Sequence, residues 1–412
     1  MLKTIVIIAT LDTKGEETGY LRDLILQRGH KPLIIDVGSG YQAGITADIP
    51  AADVAKAAGE EIEELWVSKD RRKVTEVIAK GAITKLKDLC RVEGVDGLVA
   101  IGGTSGMVLA SGIMNELPLA IPKLIVSSAA SLPGSHRVFG PTGITLMDPL
   151  VDVGGLNSLL RVYLSRAAGA ICAMVEEETP FPSPSEQKRM VAITTYGYTE
   201  NCARHVSKAL KGKYEPVRFH ASGVPEIAME RLIEEGFFIG VIDLVPSSIT
   251  NALLGGSRTS WPKRLEIGGE KGIPQIVVPG GVNTFSLAGF SADAMASQLK
   301  IRKHYFMDAQ RVTVWLKDEE LKRVASIYAE KLNKATGPTR FLVPLKGWLS
   351  IEREGTPFFD PQAAKTFVEE LKRRLKAEIE VKEIDANIDD RAFADAVIQE
   401  FEEVMGLAEG LR

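Results

Sequence analysis

Two hydroxyls, a carboxylate and an amine follow an apolar run near the start of the chain. Ile5-Val-Ile-Ile-Ala9 leads into Thr10, Asp12, Thr13 and Lys14, and Gly15 comes next. In an open α/β sheet such a turn stands at the carboxyl end of a strand. The helix that follows offers free N–H groups and the positive end of its dipole to an anion. Thr10, Thr13 and Lys14 would donate to phosphate oxygens, and Asp12 would hold Mg²⁺ or a ribose hydroxyl. The same residues would equally well cap the helix. A second segment, Ile101-Gly-Gly-Thr-Ser-Gly-Met107, repeats the arrangement. Gly102, Gly103 and Gly106 let a backbone approach phosphate, while Thr104 and Ser105 add hydroxyl donors. This is neither G-x-G-x-x-G nor a Walker loop, and alone it fits a tight strand-to-helix turn as well. Two such loops in one sheet would converge on a single crevice at a switch point.

Other polar groups fall at expected strand ends. Asp36, with Gly38 two residues on, suits a ribose contact or a loop cap; Ser127, in Ser127-Ser-Ala-Ala-Ser131, suits turn formation better than ligand contact. Thr145, Asp148, Asp152 and Asn157 precede a long helix. One of them would cap it, and Asp152 is the best placed for metal or hydroxyl contact. In the second half, His220, Glu226 and Glu230 one helical turn apart, Asp243 and Ser247-Ser248 form a constellation capable of acid–base work. His220, Glu230 and Asp243 are the candidate catalytic residues, against the alternative that His220 is a hydrogen-bonding scaffold residue. Pro279-Gly-Gly-Val-Asn283 reads as an anion nest or a turn. His136 with Arg137 would suit a lid. The run Lys69-Asp-Arg-Arg-Lys73 reads as a solvated helix start, with Arg71 or Arg72 in reserve for a γ-phosphate. No Ser-His-Asp spacing, nucleophile elbow or zinc signature is present.

The elements that must position these groups alternate as βαβ. Thr4–Ala9, Leu33–Val37, Gly97–Ile101 and Lys123–Val126 are apolar runs of the kind buried on both faces. Apolar stripes over Glu16–Arg28 and Arg72–Leu89 predict helices between them. After a Pro- and Glu-rich linker at 178–188 the pattern resumes at Val191–Thr195, Val217–Phe219, Ile239–Leu244, Ile276–Val278 and Arg311–Trp315, with a helix at Glu319–Asn333. The expectation is two α/β domains, 1–177 and 189–412, each Rossmann-like with a mainly parallel sheet. The tail from Pro361 reads as helix-rich, with a helix cap at Asp389.

Composition narrows the classes. The chain has 412 residues, 45% of them hydrophobic, and a net charge of −4 with a pI near 5.9. No broad basic surface invites nucleic acid. Three scattered cysteines, Cys90, Cys172 and Cys202, argue against a disulfide framework and a cysteine zinc site. Without a leader pattern or a long apolar span, a cytoplasmic protein is expected, with neither membrane nor nucleic acid as partner.

Thr10-Leu-Asp-Thr-Lys-Gly-Glu16, Asp36-Val-Gly38, Ile101-Gly-Gly103, Asp152 with Gly155-Leu-Asn157, and Phe219-His-Ala221 with Met229-Glu230 resemble one known family over nearly the whole chain. It is the family that includes the amino-terminal ATP-binding domain of the tomato mosaic virus resistance protein. The resemblance implies paired Rossmann-like domains, ATP with Mg²⁺ bound by the first, and a homodimer. The family's glycine loop is richer than Gly102-Gly-Thr-Ser-Gly-Met107, though the hydroxyl donors survive. Two functions compete: an enzyme that uses ATP for phosphoryl or acyl activation of a small molecule held near His220 in an interdomain cleft, and a non-catalytic, nucleotide-gated module that recognises a protein. An NAD-dependent oxidoreductase fits less well, because the glycine spacing is wrong.

Overall fold

The computed structural model describes residues 1–39, 44–68, 70–131, 140, 143–179, 181–182, 189–259, 262–288, 299–300, 302–309 and 311–410. The expected lid at His136–Arg137, Lys69 of the charge run and most of the expected linker lie outside them. The chain divides into two compact units, Met1–Phe181 and Pro182–Arg412.

In the first unit the order is β1 (Thr4–Ala9), α1 (Leu11–Gln27), β2 (Lys31–Asp36), α2 (Ala51–Ala58), α3 (Ile62–Val67), α4 (Arg71–Val92), β3 (Gly97–Gly102), α5 (Thr104–Asn115), β4 (Lys123–Ser127), β5 (Ile144–Met147) and α6 (Ser158–Glu176). The five strands are parallel in the order β2-β1-β3-β4-β5. Successive side chains point to opposite faces, so an unbroken apolar strand must be covered on both. Ile5, Ile7, Val99, Ile101 and Leu124 pack beneath α1 and α6. Val6, Ile8, Leu98, Ala100 and Ile125 pack beneath α4 and α5. By length and composition α6 could cross a membrane, but Leu160, Leu164, Ala167, Ile171 and Val175 are buried in the first of these cores.

The second unit runs β6 (Met190–Thr195), α7 (Glu200–Leu210), β7 (Glu215–His220), α8 (Val224–Glu234), β8 (Phe238–Asp243), α9 (Ser248–Leu254), α10 (Ile267–Glu270), β9 (Gln275–Val277), β10 (Thr284–Ala288), β11 (His304–Asp308), β12 (Arg311–Trp315), α11 (Asp318–Leu332), β13 (Thr339–Pro344), α12 (Pro361–Arg374), β14 (Glu380–Ile384) and α13 (Arg391–Gly410). Six strands form a parallel sheet, β14-β13-β9-β8-β6-β7. The protein is thus an α/β molecule with two parallel sheets in tandem.

Two expectations need correction. Arg311–Trp315 is not part of the parallel layer. It is the middle strand of a separate antiparallel sheet, β10-β12-β11. Asp389 caps a different helix from the one it precedes: its carboxylate accepts the Cys202 N–H at 3.1 Å and an Asn201 amide N–H at 2.7 Å, closing the first turn of α7.

Candidate nucleotide site and its counterpart in the second unit

β1 and β3 are neighbours, paired in parallel from Ile5 with Gly97 to Ile8 with Ala100. Their carboxyl ends therefore lie side by side, and the turn at Thr10 adjoins the turn at Gly102. The order β2-β1-β3 reverses the direction of connection between these two strands, which makes this the switch point of the sheet. Gly102 is needed for the second turn, because a Cβ there would stand 3.2 Å from the Gly106 Cα. α5 starts at Thr104 with no side chain capping it, and Thr104 and Ser105 are exposed. Among the described residues no side chain claims its first N–H groups. Across the crevice the Thr10 and Thr13 hydroxyls bond each other at 2.9 Å on the surface.

The first turn of α1 already contains Asp12, Thr13 and Lys14. Asp36 supplies the cap, its Oδ1 accepting the N–H groups of Leu11 at 3.0 Å and Gly38 at 2.8 Å. Of its two open readings, the structure shows the loop cap. Burial lifts the Asp36 carboxyl above its ordinary value and nearby Asp12 adds to the lift, against the pull of those two N–H groups. A Cβ on Gly38 would stand 2.9 Å from both Asp12 Oδ1 and Asp36 Oδ1, so a side chain there would have to push the carboxylates aside. Asp12 Oδ1 is buried and has no hydrogen-bond partner among the described residues.

The loop after β5 closes the other side. Glu17, buried in α1, accepts the Gly155 N–H at 2.6 Å, and Asn157 caps α6 through the Leu160 N–H at 2.9 Å. Asp152 is thereby presented outward. Its Oδ1 accepts the Ser128 hydroxyl at 2.9 Å. A Cβ on Gly154 would meet Asp152 Oδ2 at 3.3 Å and Lys14 Nζ at 4.0 Å, which brings lysine and aspartate to one rim. Ser128 joins this rim without having been singled out from the sequence. Ser127 is fully buried and accepts the Ala129 N–H at 3.1 Å, a turn-forming role.

In the second unit the corresponding strand ends are built differently. Glu230 and Asp243, expected to act with His220, do not share its surface: they are 2% and 0% exposed, whereas His220 is exposed at the end of edge strand β7. Both carboxylates surround Arg264, itself 1% exposed. Arg264 Nη1 contacts Glu230 Oε1 at 3.0 Å and Asp243 Oδ2, and Nε lies 3.3 Å from Glu226 Oε1. Thr194 donates to Asp243 at 2.7 Å, Ser248 to Glu226 at 2.5 Å, and the Leu265 N–H to Glu230 at 3.1 Å. Burial pushes the Glu230 carboxyl up to about 7 and raises Glu226. Burial opposes the Arg264 charge, but the carboxylates outweigh it. Among the described residues the cluster is a buried ion knot, in which Arg264 Nη2 alone of the guanidinium nitrogens has no hydrogen-bond partner. Arg264 carries no periodicity or motif, so nothing in the sequence flagged it.

The comparisons agree with this division. The model of the Uncharacterised protein family (UPF0261) N-terminal domain matches residues 3–180, and that of its C-terminal domain matches residues 188–405. The chain belongs to UPF0261. A family member from Clostridium tetani is 33% identical over 98% of this chain and all of its own length. One from Brucella melitensis is 31% identical over 99% of this chain and 96% of its own. The ToMV resistance protein Tm-1(GCR237) of Solanum lycopersicum is 29% identical over 96% of this chain and 55% of its own length, which bears out the resemblance read from the motifs. Among solved structures, a UDP-N-acetylglucosamine 2-epimerase overlaps 67% of this chain and 79% of its own at 12% identity with a TM-score of 0.23, too loose a likeness to bear on function.

Proposed function

We propose that the first unit binds ATP with Mg²⁺ and that the protein is a cytoplasmic homodimer which uses the nucleotide to activate a small-molecule substrate. One observation carries the reading: two hydroxyl-bearing turns on adjacent parallel strands meet at the switch point, beside an uncapped helix start. Thr104, Ser105 and the N–H groups of α5 receive phosphate oxygens, with Thr10, Thr13 and Lys14 on the facing turn. Mg²⁺ needs only one or two carboxylates beside phosphate oxygens. The unpartnered Asp12 Oδ1 fits that need, and Asp152 at the rim offers a second carboxylate. Bound there, the cation would screen phosphate charge; Lys14 and the α5 amides would hold the phosphate in place. Asp36 engages the Leu11 and Gly38 N–H groups through Oδ1 alone, which leaves its second oxygen as an acceptor for a sugar hydroxyl.

Calorimetric titration with ATP, with and without MgCl₂, tests the proposal. Wild-type protein should bind ATP saturably and more tightly with Mg²⁺. Lys14→Ala should lose about tenfold or more in affinity, from the 1.5–3 kcal/mol typical of a hydrogen bond to a charged group, at unchanged melting temperature. Absence of binding heat in the wild type would end the reading. Release of ADP, AMP or phosphate during incubation with a metabolite panel would then separate an enzyme from a nucleotide-gated binding module.

A further inference from the structure

A cation without a carboxylate partner stands in the second unit, away from the buried Arg264 knot. Arg258 lies on the loop after α9, and the loop is fixed on both sides of it. The backbone N–H and the hydroxyl of Ser257 both donate to the Ser286 carbonyl, at 2.7 and 3.0 Å. The Thr259 carbonyl packs so tightly on Gly223 that a Cβ there would stand 2.3 Å from it, and Gly223 has φ +101°, so no other residue fits. The guanidinium sits 5.9 Å from the centre of the Tyr196 ring. Among the described residues it forms no ion pair.

Further groups lie on the elements around Tyr196. His220 ends the neighbouring strand, and its imidazole, only partly covered, is held below its ordinary pKa first by that partial burial and then by the positive charges of Arg258 and Arg311. Arg311 is itself paired with Asp308, which leaves Arg258 as the uncompensated charge. Beneath them the Tyr196 hydroxyl, in a residue 6% exposed, has no partner among the described residues. Neither has Asn283 Oδ1, in a residue 7% exposed. The loop carrying Asn283 is shaped around that tyrosine: Gly281 has φ +66°, and a Cβ on it would meet the Tyr196 hydroxyl at 2.6 Å. The Asn283 amide is fixed by its donation to Glu352 at 2.7 Å. A buried hydroxyl and a buried amide oxygen left unpaired each cost on the order of 1–3 kcal/mol, a cost a bound partner offsets.

We infer that Arg258, His220, Tyr196 and Asn283 form a binding site for a small organic oxyanion, a carboxylate or phosphate ester that also bears a hydroxyl or amine. The anionic end pairs with Arg258 in the bidentate manner of guanidinium with carboxylate or phosphate. The hydroxyl or amine donates to Asn283 Oδ1, and Tyr196 donates to a ligand oxygen. The site lies wholly within the second unit and is independent of nucleotide binding by the first.

Calorimetric titration of the full chain with inorganic phosphate, phosphoglycolate, glycolate and malonate, at matched ionic strength, decides it. Wild-type protein should bind at least one of them saturably, and the preferred probe identifies phosphate or carboxylate as the anchor. R258Q should weaken that binding tenfold or more, and R258K should recover part of it, with melting temperatures within 2 °C of wild type. Lys14→Ala should leave it unchanged. No saturable binding by the wild type, equal binding by R258Q, or loss of binding with Lys14→Ala would overturn the assignment.

Discussion

Strand order runs β2-β1-β3-β4 in the first unit and β7-β6-β8-β9 in the second, so each sheet has one place where the connection reverses. In the first unit that place is lined by Thr10, Thr13, Lys14, Thr104 and Ser105, all at least partly exposed, above an uncapped helix. In the second it is filled: Asp243 ends β8, takes the Thr194 hydroxyl from β6 and closes onto Arg264 with Glu226 and Glu230. One topology yields a crevice lined by hydroxyls and a lysine where glycine follows the strand, and a buried ion knot where aspartate ends it. The candidate ligand groups of the second unit are displaced accordingly, to Arg258, Tyr196 and the Gly281 loop. A switch point is therefore a place where a site can be built. Side chains decide whether it is.

The comparison breaks first at Arg264. Replacing it with methionine strips the one cation that, among the described residues, pairs with three carboxylates each no more than 2% exposed. Breaking a buried ion pair by removing one partner typically costs about 3–5 kcal/mol, so the melting temperature should fall by roughly 10 °C. ATP affinity of the folded protein should stay as it was, because the knot lies in the second unit and the proposed nucleotide site in the first. Scanning calorimetry and titration at low temperature measure the two. An unchanged melting temperature, or lost ATP affinity at full folding, would mean that the knot belongs to a working site.

Much of this division is visible in the residue pattern, and the part that is not has physical causes. Strands β1, β3, β4, β6 and β8 are apolar on both faces because helices cover both, and such runs are readable. β14, Glu-Val-Lys-Glu-Ile, is an edge strand whose charged residues pair sideways with α12 and α13, as in Lys372 with Glu383 and Lys382 with Glu400. Charge on an edge is what sheets use to avoid aggregation, and it hides the strand from a hydrophobic scan. The first-unit loops were legible because glycine and hydroxyl residues have few reasons to cluster after a strand. Glu230 and Asp243 misled for a related reason: a carboxylate at a strand end looks the same whether water or Arg264 stands beside it. Only burial separates the two, and burial is a property of the fold.

A pH profile sharpens the comparison further. Glu230 has its carboxyl pushed up to about 7 in the folded protein, against an ordinary value of 4.5. The folded state therefore holds this proton more tightly than the unfolded state does. Its contribution to stability is fully present below about pH 4.5 and is lost as pH rises to about 7. Glu230→Gln should remove that slope, on the order of 3 kcal/mol between the two limits. Urea denaturation of both proteins at pH 5 and pH 7.5 reads it. Parallel profiles would show that Glu230 is ionised in the knot throughout.

The smallest effect is expected at Asp36, and it discriminates between the two jobs this residue was expected to do. Asparagine keeps an oxygen where Oδ1 accepts the Leu11 and Gly38 N–H groups, and it removes a buried charge facing Asp12. Loss of charge at a helix start costs about 0.3–1 kcal/mol, and relief of the repulsion returns part of that. Asp36→Asn should therefore shift the melting temperature by no more than about 2 °C. If the cap is the whole of its role, ATP affinity should change less than threefold, since asparagine keeps the capping oxygen and loses only the second acceptor. A tenfold loss of ATP affinity at unchanged stability would return Asp36 to the sugar and place its carboxylate among the ligand contacts of the open crevice.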